Sequence, residues 1–359
     1  MVFGAISMKQ PTAIICLSPY SGGMELDAIK TAKHLSTIAP ITVIAKKGAF
    51  IASKENDYVG YNGIKLETIA FKSSLSFTLI KQARAIIKQH NIKNVLFFGA
   101  SELKSLYFAF LGLDINLLVR HGTTKSSPKK DFFHRLIYSN VSWHIANSKH
   151  ILNNVKNIIP FGKNTQAKVI YPAFEFSTPS AIPHQKLTLL HVGRIAKGKG
   201  QKEAIEACEV LYKENIDFEF FIVGGFDDED YKKEFLNFYE KTPYKEKIKL
   251  VGFTKDVTSY YNRSDIFVFP SAGEGLSNAF IEALSFGITA ICYDNTSFPE
   301  LQELGFEFKM VDNEDISSLA NILKNLSQQE LQYNTKNISL ARKIFSLENE
   351  RKKYKELLL

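Results

Sequence analysis

The chain has 359 residues, of which 45% are hydrophobic and 23% charged, as in ordinary globular proteins. This composition excludes collagen-like, coiled-coil and wholly disordered chains, and the length predicts two domains. The net charge of +8 is uneven, because residues 1–175 carry 22 basic and 9 acidic side chains and residues 176–359 carry 23 and 28. The basic first half favours a phosphate-rich partner, such as an anionic membrane surface, a lipid-linked phosphate or a nucleic acid.

The predicted elements form two series of strands with helical patterns between most of them. In the first half the strand-like segments are TAIICL, ITVIA, NVLFF, INLLVR, WHIA and KVIY. The pattern lapses over residues 172–186, where Pro172, Pro179 and Pro183 are typical of a linker. The second half repeats the alternation with LTLLHV, FEFFIVG, IKLVGF, DIFVFP and ITAICYD. This order predicts an α/β protein of two doubly wound domains that face one another across a cleft.

We place the domains at residues 1–175 and 176–340. A basic amphipathic helical pattern runs from Thr335 to Leu359, and residues 341–359 could pack back on the first domain as a C-terminal helix. No apolar run approaches the roughly 20 residues of a membrane-spanning helix, and the first residues lack the features of a secretory signal. We therefore expect a cytoplasmic protein whose cysteines are reduced core thiols, namely Cys16, Cys208 and Cys292.

The strongest candidate motif is PSAGEGLSNAFIEALSFG, which begins at Pro270 where a predicted strand ends. A glycine-bracketed loop presents Glu274, and a helix predicted from about Leu276 carries Glu282, with seven residues between the two glutamates. The free N–H groups at the start of that helix are typical of an anion site and belong to Leu276, Ser277 and Asn278. The carboxylates suit neutral hydroxyl groups, such as those of a sugar.

A second motif, HVGRIAKGKGQ, follows the predicted strand LTLLHV. Gly193 frees the turn, and Arg194 and Lys199 lie five positions apart at the entrance of the next helix, with Lys197 as a competing cation. Arginine can fork onto phosphate oxygens and lysine acts as a point charge, so the motif predicts a diphosphate site.

Together these motifs resemble the donor-binding half of the family 4 retaining glycosyltransferases with the GT-B fold. Gly193, Arg194, Lys199 and Gly200 match that family's G-R-x4-K-G segment, and Glu274 and Glu282 match its E-x7-E segment. Between them, VGFTKDVTSYYNRSDIFVFPS resembles the family's stretch that ends in a strand and Pro-Ser. The resemblance covers residues 187–305 well and the first half loosely, and it implies a GT-B hexosyltransferase with two Rossmann-like domains.

The resemblance implies a role for each matching residue. Arg194 and Lys199 would hold the diphosphate, Glu282 the ribose hydroxyls, and Glu274 the hydroxyls of the transferred sugar. Backbone amides after Gly275 would lie near the sugar or diphosphate, and the nucleobase near Gly252, Phe253 and Thr254. In the first half, Gly22 and Gly23 resemble the family's glycine loop, and His121 lies where the family has a histidine close to the sugar and acceptor.

The implied reaction is a retaining transfer in which the leaving phosphate oxygen accepts the proton of the acceptor hydroxyl, with Glu274 as a covalent nucleophile the weaker option. It needs no metal and no cofactor, since the nucleotide sugar is a substrate. We expect a UDP-sugar rather than a GDP-sugar donor, and a lipid-linked or surface-glycan acceptor such as lipopolysaccharide or capsule. The enzyme would lie at the inner face of the cell membrane.

Other classes remain as alternatives. A GT-B epimerase would use a nucleotide sugar without an acceptor, a phosphorylase would need phosphate, and a non-catalytic partner would bind the donor without turnover. A dehydrogenase is disfavoured because no G-x-G-x-x-G follows a strand, and His144 and His191 are expected to be packed or solvated strand residues. The acidic run Asp227–Asp230 is expected to begin a helix rather than to bind a metal.

The segment TTKSSPKKDFFHRLIYS mixes bases with aromatic residues. Such a mixture suits the boundary of an anionic membrane, but the aromatic rings could equally pack in the core with the lysines in water. The bases are Lys125, Lys129, Lys130 and Arg135, and the aromatic residues are Phe132, Phe133 and Tyr138. No recognised nucleic-acid module accompanies them, so no nucleic-acid partner is expected.

Overall fold

The computed structural model describes residues 10–53, 56–180, 182 and 185–358, so Pro183 of the expected linker lies outside the described residues. The chain divides into two compact units. Unit 1 contains residues 1–173 and 347–359, and unit 2 contains residues 174–346.

Unit 1 contains a parallel sheet of seven strands in the order β3-β2-β1-β4-β5-β6-β7. The strands are β1 Thr12–Cys16, β2 Ile41–Lys46, β3 Lys65–Ile69, β4 Asn94–Phe98, β5 Asn116–His121, β6 Trp143–Ala146 and β7 Gln166–Val169. The first helices are α1 Gly23–Leu35, α2 Phe77–Gln89, α3 Leu103–Phe110, α4 Phe132–Tyr138 and α5 Lys149–Ile158. β1 and β4 are buried at every residue, because the parallel sheet has an apolar core on each face.

Unit 2 contains a parallel sheet of six strands in the order β10-β9-β8-β11-β12-β13. The strands are β8 Leu187–Val192, β9 Phe218–Val223, β10 Ile248–Gly252, β11 Ile266–Phe269, β12 Thr289–Tyr293 and β13 Lys309–Val311. The helices are α6 Gln201–Ala207, α7 Glu209–Lys213, α8 Glu229–Glu240, α9 Thr258–Asn262, α10 Asn278–Phe286, α11 Phe298–Glu303, α12 Ile316–Ser327 and α13 Thr335–Ile344. Short 3₁₀ helices occur at Phe50–Ala52, Tyr61–Gly63 and Lys245–Lys247.

The predicted α/β class with two doubly wound parallel sheets is confirmed. Two strands were absent from the prediction, and both lie at a sheet edge. β3 has only Ile69 fully buried, and β13 has three residues, so neither has the apolar run of a central strand. In both sheets the strand order reverses next to the first strand of the unit, and ligands of such sheets bind beyond the carboxyl ends of the strands at that point.

The prediction of one helix over Thr335–Leu359 is wrong. α13 ends at Ile344, and a separate helix, α14, covers Leu347–Lys355. The break lies at Phe345, whose fully buried ring stacks on Phe306 at a centroid distance of 6.0 Å. Its carbonyl oxygen accepts a hydrogen bond of 2.9 Å from the N–H of Phe174. α13 therefore belongs to unit 2 and α14 to unit 1.

Polar contacts join α14 to unit 1 beneath the surface. Glu350, 3% exposed, lies 2.5 Å from Nδ1 of His34 in α1, and Nε of Arg351 donates to the His34 carbonyl at 2.8 Å. Nδ2 of Asn116 in β5 donates to the carbonyl of Leu357 at 2.7 Å. Because both partners of the His34–Glu350 contact are buried, removing either would leave a buried polar group without its partner.

Candidate functional site

The central strands of unit 2, β8 and β11, are parallel neighbours, and their carboxyl ends carry the two predicted motifs. β8 ends at Val192 and leads into the loop 193–200, and β11 ends at Phe269 and leads into the loop 270–277. The order of the sheet reverses between these strands, which is where a doubly wound sheet binds ligands. The sheet thus brings the motifs to one place.

The loop 193–200 is held by contacts on both sides. The fully buried His191 stacks on Phe269 and donates from Nε2 to the carbonyl of Lys199 at 2.9 Å. The fully buried Gln201 donates from Nε2 to the carbonyl of Arg194, also at 2.9 Å. Burial lowers the pKa of His191 to about 4, so the ring is neutral at physiological pH and can keep this contact. The backbone beside both cations is therefore fixed in position.

Glycine is required at two close approaches of the backbone. Gly200 has φ +85°, and a Cβ there would lie 2.3 Å from the carbonyl oxygen of Pro270. Gly224, which follows β9, has φ +151°, and a Cβ there would lie 1.9 Å from the carbonyl oxygen of Gly193. Neither space admits a side chain, so these glycines let the loops of β8, β9 and β11 pack together.

Arg194 is exposed and forms an ion pair with Asp227, with 2.6 Å between Nη1 and Oδ1. The side chains are 66% and 43% exposed. An exposed pair of this kind contributes little stability, so exchanging the carboxylate for a phosphate costs little. Arg194 is thus available to an incoming anion.

Lys199 and Glu274, 75 positions apart in the sequence, form an ion pair with 2.7 Å between Nζ and Oε1. The side chains are only 27% and 14% exposed. Ser271 also donates from Oγ to the same carboxylate oxygen at 3.1 Å. From the sequence, Lys199 was predicted to bind the diphosphate and Glu274 to bind the sugar. In the structure these two side chains contact each other directly.

Thr296, which follows β12, fixes the backbone at Glu274. Its Oγ1 accepts a hydrogen bond of 3.2 Å from the N–H of Glu274 and donates to Asn295 Oδ1 at 3.0 Å. Thr296 has φ +48°, a left-handed conformation that is rare for a β-branched residue. The strained backbone is therefore held where it supports the loop that carries Glu274.

We expect Thr296→Ala to be less stable than Thr296→Gly by about 1 kcal/mol, because both lose the hydroxyl but only glycine relieves the left-handed strain. The free energy of unfolding of each variant, measured by urea denaturation, checks this difference. A glycine variant less stable than the alanine variant would contradict the strain.

The helix that carries Glu282 begins later than predicted. α10 starts at Asn278 rather than at about Leu276, because Ser277 is the N-cap and accepts the N–H of Phe280 on its Oγ at 3.3 Å. Of the three amides predicted to open toward a ligand, those of Leu276 and Ser277 therefore precede the helix, and that of Asn278 belongs to its first residue. The carboxylate of Glu282 accepts a hydrogen bond of 3.1 Å from the hydroxyl of the buried Tyr261.

The segment predicted to lie near the nucleobase follows β10. Gly252 has φ +77° and accepts the N–H of Gly224 on its carbonyl oxygen at 2.9 Å. Phe253 is 80% exposed, and Thr254 accepts the N–H of Asp256 on its Oγ1 at 3.1 Å. A Cβ built on Gly225 would lie 3.9 Å from the Cβ of Phe253. The exposed Phe253 side chain therefore starts beside Gly224 and Gly225, the two glycines that follow β9.

The remaining predicted site residues belong to unit 1. Gly22 is the N-cap of α1 and Gly23 its first residue, and no side chain caps this helix start. His121 ends β5 and is only 2% exposed, with Nε2 2.9 Å from Nδ1 of His144 and with Nδ1 lacking a hydrogen-bond partner. Burial, followed by His144, lowers the pKa of His121. The structure therefore packs this ring inside the unit rather than on the loop.

The other residues weighed from the sequence have structural roles. Asp228 caps α8 by accepting the N–H of Tyr231 at 2.8 Å, and Glu229 and Asp230 lie in the first helical turn, which confirms the expected helix start. Asp227 instead pairs with Arg194. His144 and His191 are fully buried, so they are packed strand residues as expected.

The residues that support the site were not among those predicted from the sequence. His191 and Gln201 hold the loop 193–200, Ser271 and Thr296 hold Glu274, and Tyr261 holds Glu282. Serine, glutamine and threonine are common in loops and helix starts, so their types carry no signal. A signal exists only for His191, which lies in an apolar strand where a polar side chain needs a partner.

Comparison with known proteins identifies relatives. The family "Glycosyl transferases group 1" matches residues 173–355. The amylovoran biosynthesis glycosyltransferase AmsK of Erwinia amylovora is 33% identical over 155 residues, 41% of this chain and 37% of AmsK, so the chain aligns with little more than a third of that relative. The capsular polysaccharide biosynthesis glycosyltransferase CapH of Staphylococcus aureus is 25% identical over 88% of this chain and 91% of CapH.

A UDP-Gal:alpha-D-GlcNAc-diphosphoundecaprenol alpha-1,3-galactosyltransferase of Escherichia coli is 28% identical over 39% of this chain and 36% of its own. Among solved structures, a glycosyltransferase of Rickettsia africae superimposes with a TM-score of 0.82 at 18% identity over 98% of both chains. Alr3699/HepE of Anabaena, solved in complex with UDP, superimposes with a TM-score of 0.80 at 19% identity over 97% of this chain and 99% of its own. These structures share the fold.

Proposed function

Since this chain belongs to the glycosyl transferases group 1 family, we propose that it is a retaining hexosyltransferase that moves a sugar from a UDP-sugar to a hydroxyl of a lipid-linked or surface-glycan acceptor. The contact between Lys199 and Glu274 carries the proposal. It joins a cation suited to a diphosphate and a carboxylate suited to sugar hydroxyls at the ligand-binding edge of one sheet.

In the proposed complex Arg194 and Lys199 hold the diphosphate. The ammonium group of Lys199 has three donors, so it can hold Glu274 and a phosphate oxygen at the same time. Arg194 exchanges Asp227 for the other phosphate, at little cost because that pair is exposed. The two cations supply the positive charge that the leaving diphosphate needs, so the proposed reaction uses no metal.

Glu274 and Glu282 bind hydroxyl groups in this proposal. The carboxylate of Glu274, whose Oε1 contacts Lys199, faces hydroxyls of the transferred sugar. Glu282, oriented by Tyr261, accepts the ribose hydroxyls. The exposed ring of Phe253 offers a stacking surface to the nucleobase. The role of Gly22 and Gly23, at the uncapped start of α1, as a phosphate-binding glycine loop stays a prediction.

In the reaction, the bond between the anomeric carbon and the phosphate oxygen breaks as the acceptor hydroxyl attacks the same face of the sugar. The hydroxyl proton passes to the leaving phosphate oxygen, so no carboxylate base is required. The chain's own contribution is to position the donor and to stabilise the negative charge on the diphosphate.

The choice of donor and acceptor class is supported by the relatives. Alr3699/HepE was solved with UDP, and the E. coli galactosyltransferase is named for a UDP-sugar donor and a diphosphoundecaprenol acceptor. AmsK is named for amylovoran biosynthesis and CapH for capsular polysaccharide biosynthesis. These names support the biosynthesis of a cell-surface polysaccharide, and we propose the inner face of the membrane as the place of the reaction.

A thermal-shift panel with UDP, GDP, CDP and ADP, each with and without magnesium, tests the donor site. A ligand that binds only the folded protein raises the unfolding temperature by mass action, and we expect a shift with UDP that does not depend on magnesium. Release of UDP from a UDP-sugar should then depend on a membrane lipid extract that supplies the acceptor. UDP release without an acceptor would instead indicate hydrolysis, conversion of the UDP-sugar into another UDP-sugar would indicate an epimerase, and no shift with any nucleotide would contradict the donor site.

A further inference from the structure

The helix α4 of unit 1 presents an apolar face to solvent. Phe132 is 83% exposed, Phe133 is 40% exposed and Leu136 is 36% exposed. The side chains that α4 buries are Ile137 and Tyr138. A surface helix usually buries its apolar stripe and exposes polar residues, so α4 is unusual in placing large apolar groups on its outer side.

The helical periodicity shows that this exposure is a property of one face. At 100° per residue, Phe132 and Leu136 lie about 40° apart, and Phe133 lies about 60° beyond Leu136. Of the two side chains that pack in the core of unit 1, Tyr138 lies on the opposite side, and Ile137 lies about 40° beyond Phe133 at the edge of the face. The outward face of α4 therefore consists of three neighbouring apolar side chains.

Basic residues flank this face. Lys130 and Arg135 are exposed, and Nε of Arg135 donates to the carbonyl of Lys130 at 3.0 Å, which holds the two residues close together. Lys125 and Lys129 lie in the loop that leads into α4, where burial, followed by the charge of Lys129, lowers the pKa of Lys125. The acidic N-cap of α4, Asp131, lies 2.5 Å from Nδ1 of His134. The surroundings of the apolar face are thus mainly positive.

We propose that this α4 surface, formed by Phe132, Phe133 and Leu136 with Lys130 and Arg135, docks unit 1 on an anionic lipid bilayer. These residues would hold the enzyme beside a lipid-linked acceptor, a role that rests on the proposed function. The three apolar side chains would enter the interface between headgroups and acyl chains, while the two bases contact lipid phosphates.

The charge of unit 1 favours a lipid surface over an acidic patch on one protein. Unit 1 has 26 basic and 11 acidic residues, a net charge of +15, whereas unit 2 has 19 and 26, a net charge of −7. A charge of this size is attracted by an extended anionic surface, and exposed aromatic side chains then supply the apolar anchor. Over the residues that the structure describes, no helix is long and apolar enough to cross a membrane.

The test is co-sedimentation of the full chain with vesicles of phosphatidylcholine, with or without phosphatidylglycerol. We expect binding only to the phosphatidylglycerol vesicles, with affinity that falls as salt is raised. Phe132→Ser should weaken binding by about tenfold or more, because one aromatic side chain no longer leaves water. Lys130→Gln combined with Arg135→Gln should weaken it on the order of tenfold.

Matched controls separate the α4 surface from general effects. Leu111→Ser removes a 44% exposed leucine elsewhere in unit 1 and should not affect binding, whereas Leu136→Ser should weaken it. Lys88→Gln combined with Lys156→Gln removes the same charge from the exposed last turns of α2 and α5, and should have little effect. Equal losses in the test and control variants, or no binding of the wild type to either vesicle, would overturn the proposal.

Two measurements distinguish lipid docking from self-association of the chain and from a failure of the donor site. Sedimentation velocity without lipid measures self-association. A dimer that Phe132→Ser dissociates, together with no vesicle binding, would show that the surface is a contact between copies of the chain. That result would overturn the lipid proposal. The thermal shift with UDP is measured on the same variants. A retained UDP shift with wild-type vesicle binding absent rejects only the docking surface, whereas an absent UDP shift with intact vesicle binding rejects only the proposed donor site.

Discussion

Replacing Glu274 by alanine is expected to lower the transfer rate by at least about a hundredfold, the loss typical of removing one contact that stabilises a transition state. The variant loses the carboxylate that faces the sugar hydroxyls and leaves the half-buried Lys199 without its partner. The fold should be retained, because the hydrogen bond from the Glu274 backbone to Thr296 does not involve the side chain. Initial rates of UDP release in the presence of acceptor, together with circular dichroism, check both parts.

Glu330→Ala, which removes an exposed glutamate of unit 2, is the control and should have wild-type activity. Glu274→Gln distinguishes the two roles considered for this residue. A glutamine still accepts a hydrogen bond from a sugar hydroxyl, so it should retain measurable transfer, whereas a covalent nucleophile would be lost as fully as in the alanine variant. Full turnover of Glu274→Ala would contradict both roles.

Replacing Lys199 by alanine is expected to weaken UDP binding by at least about tenfold, since one charge-assisted hydrogen bond is worth roughly 1.5 kcal/mol or more. The loss should exceed that of an ordinary contact, because the carboxylate of Glu274 then lies unneutralised beside the diphosphate. Isothermal titration calorimetry with UDP measures the dissociation constant directly, without an acceptor.

Lys197→Ala is the matched control, because Lys197 is an exposed lysine of the same loop, two positions away. We expect its UDP affinity to stay close to that of the wild type. Unchanged affinity in Lys199→Ala would remove the phosphate role of this residue, and a larger loss in Lys197→Ala would transfer that role to Lys197.

Much of the fold follows from local sequence patterns. Central strands such as β1 and β11 are short continuous apolar runs, and the glycines and prolines after them mark their ends. The carboxyl ends of parallel strands lie on one edge of a sheet, so the positions of both motifs could be predicted. The edge strands β3 and β13 could not, because a half-exposed or three-residue strand lacks the apolar pattern.

The contacts within the site depend on tertiary structure that no local pattern encodes. Lys199 meets Glu274 only because β8 and β11 are neighbours, although β9 and β10 lie between them in the sequence. Thr296 supports Glu274 from a left-handed backbone conformation. This conformation is unfavourable for threonine, so residue propensity alone would not predict it. The packing of His121 against His144 likewise follows from the pairing of β5 with β6.

The return of α14 to unit 1 has a consequence for biosynthesis. His34 and Glu350 are separated by 316 positions, so α1 emerges from the ribosome long before the helix that covers it. The 173 intervening residues of unit 2 take roughly 10 to 35 seconds to translate at ordinary rates. During that interval the first unit exposes the surface that Tyr354 and Leu357 later bury. Nascent chains of this protein should therefore engage chaperones through unit 1 until α14 has emerged and packed.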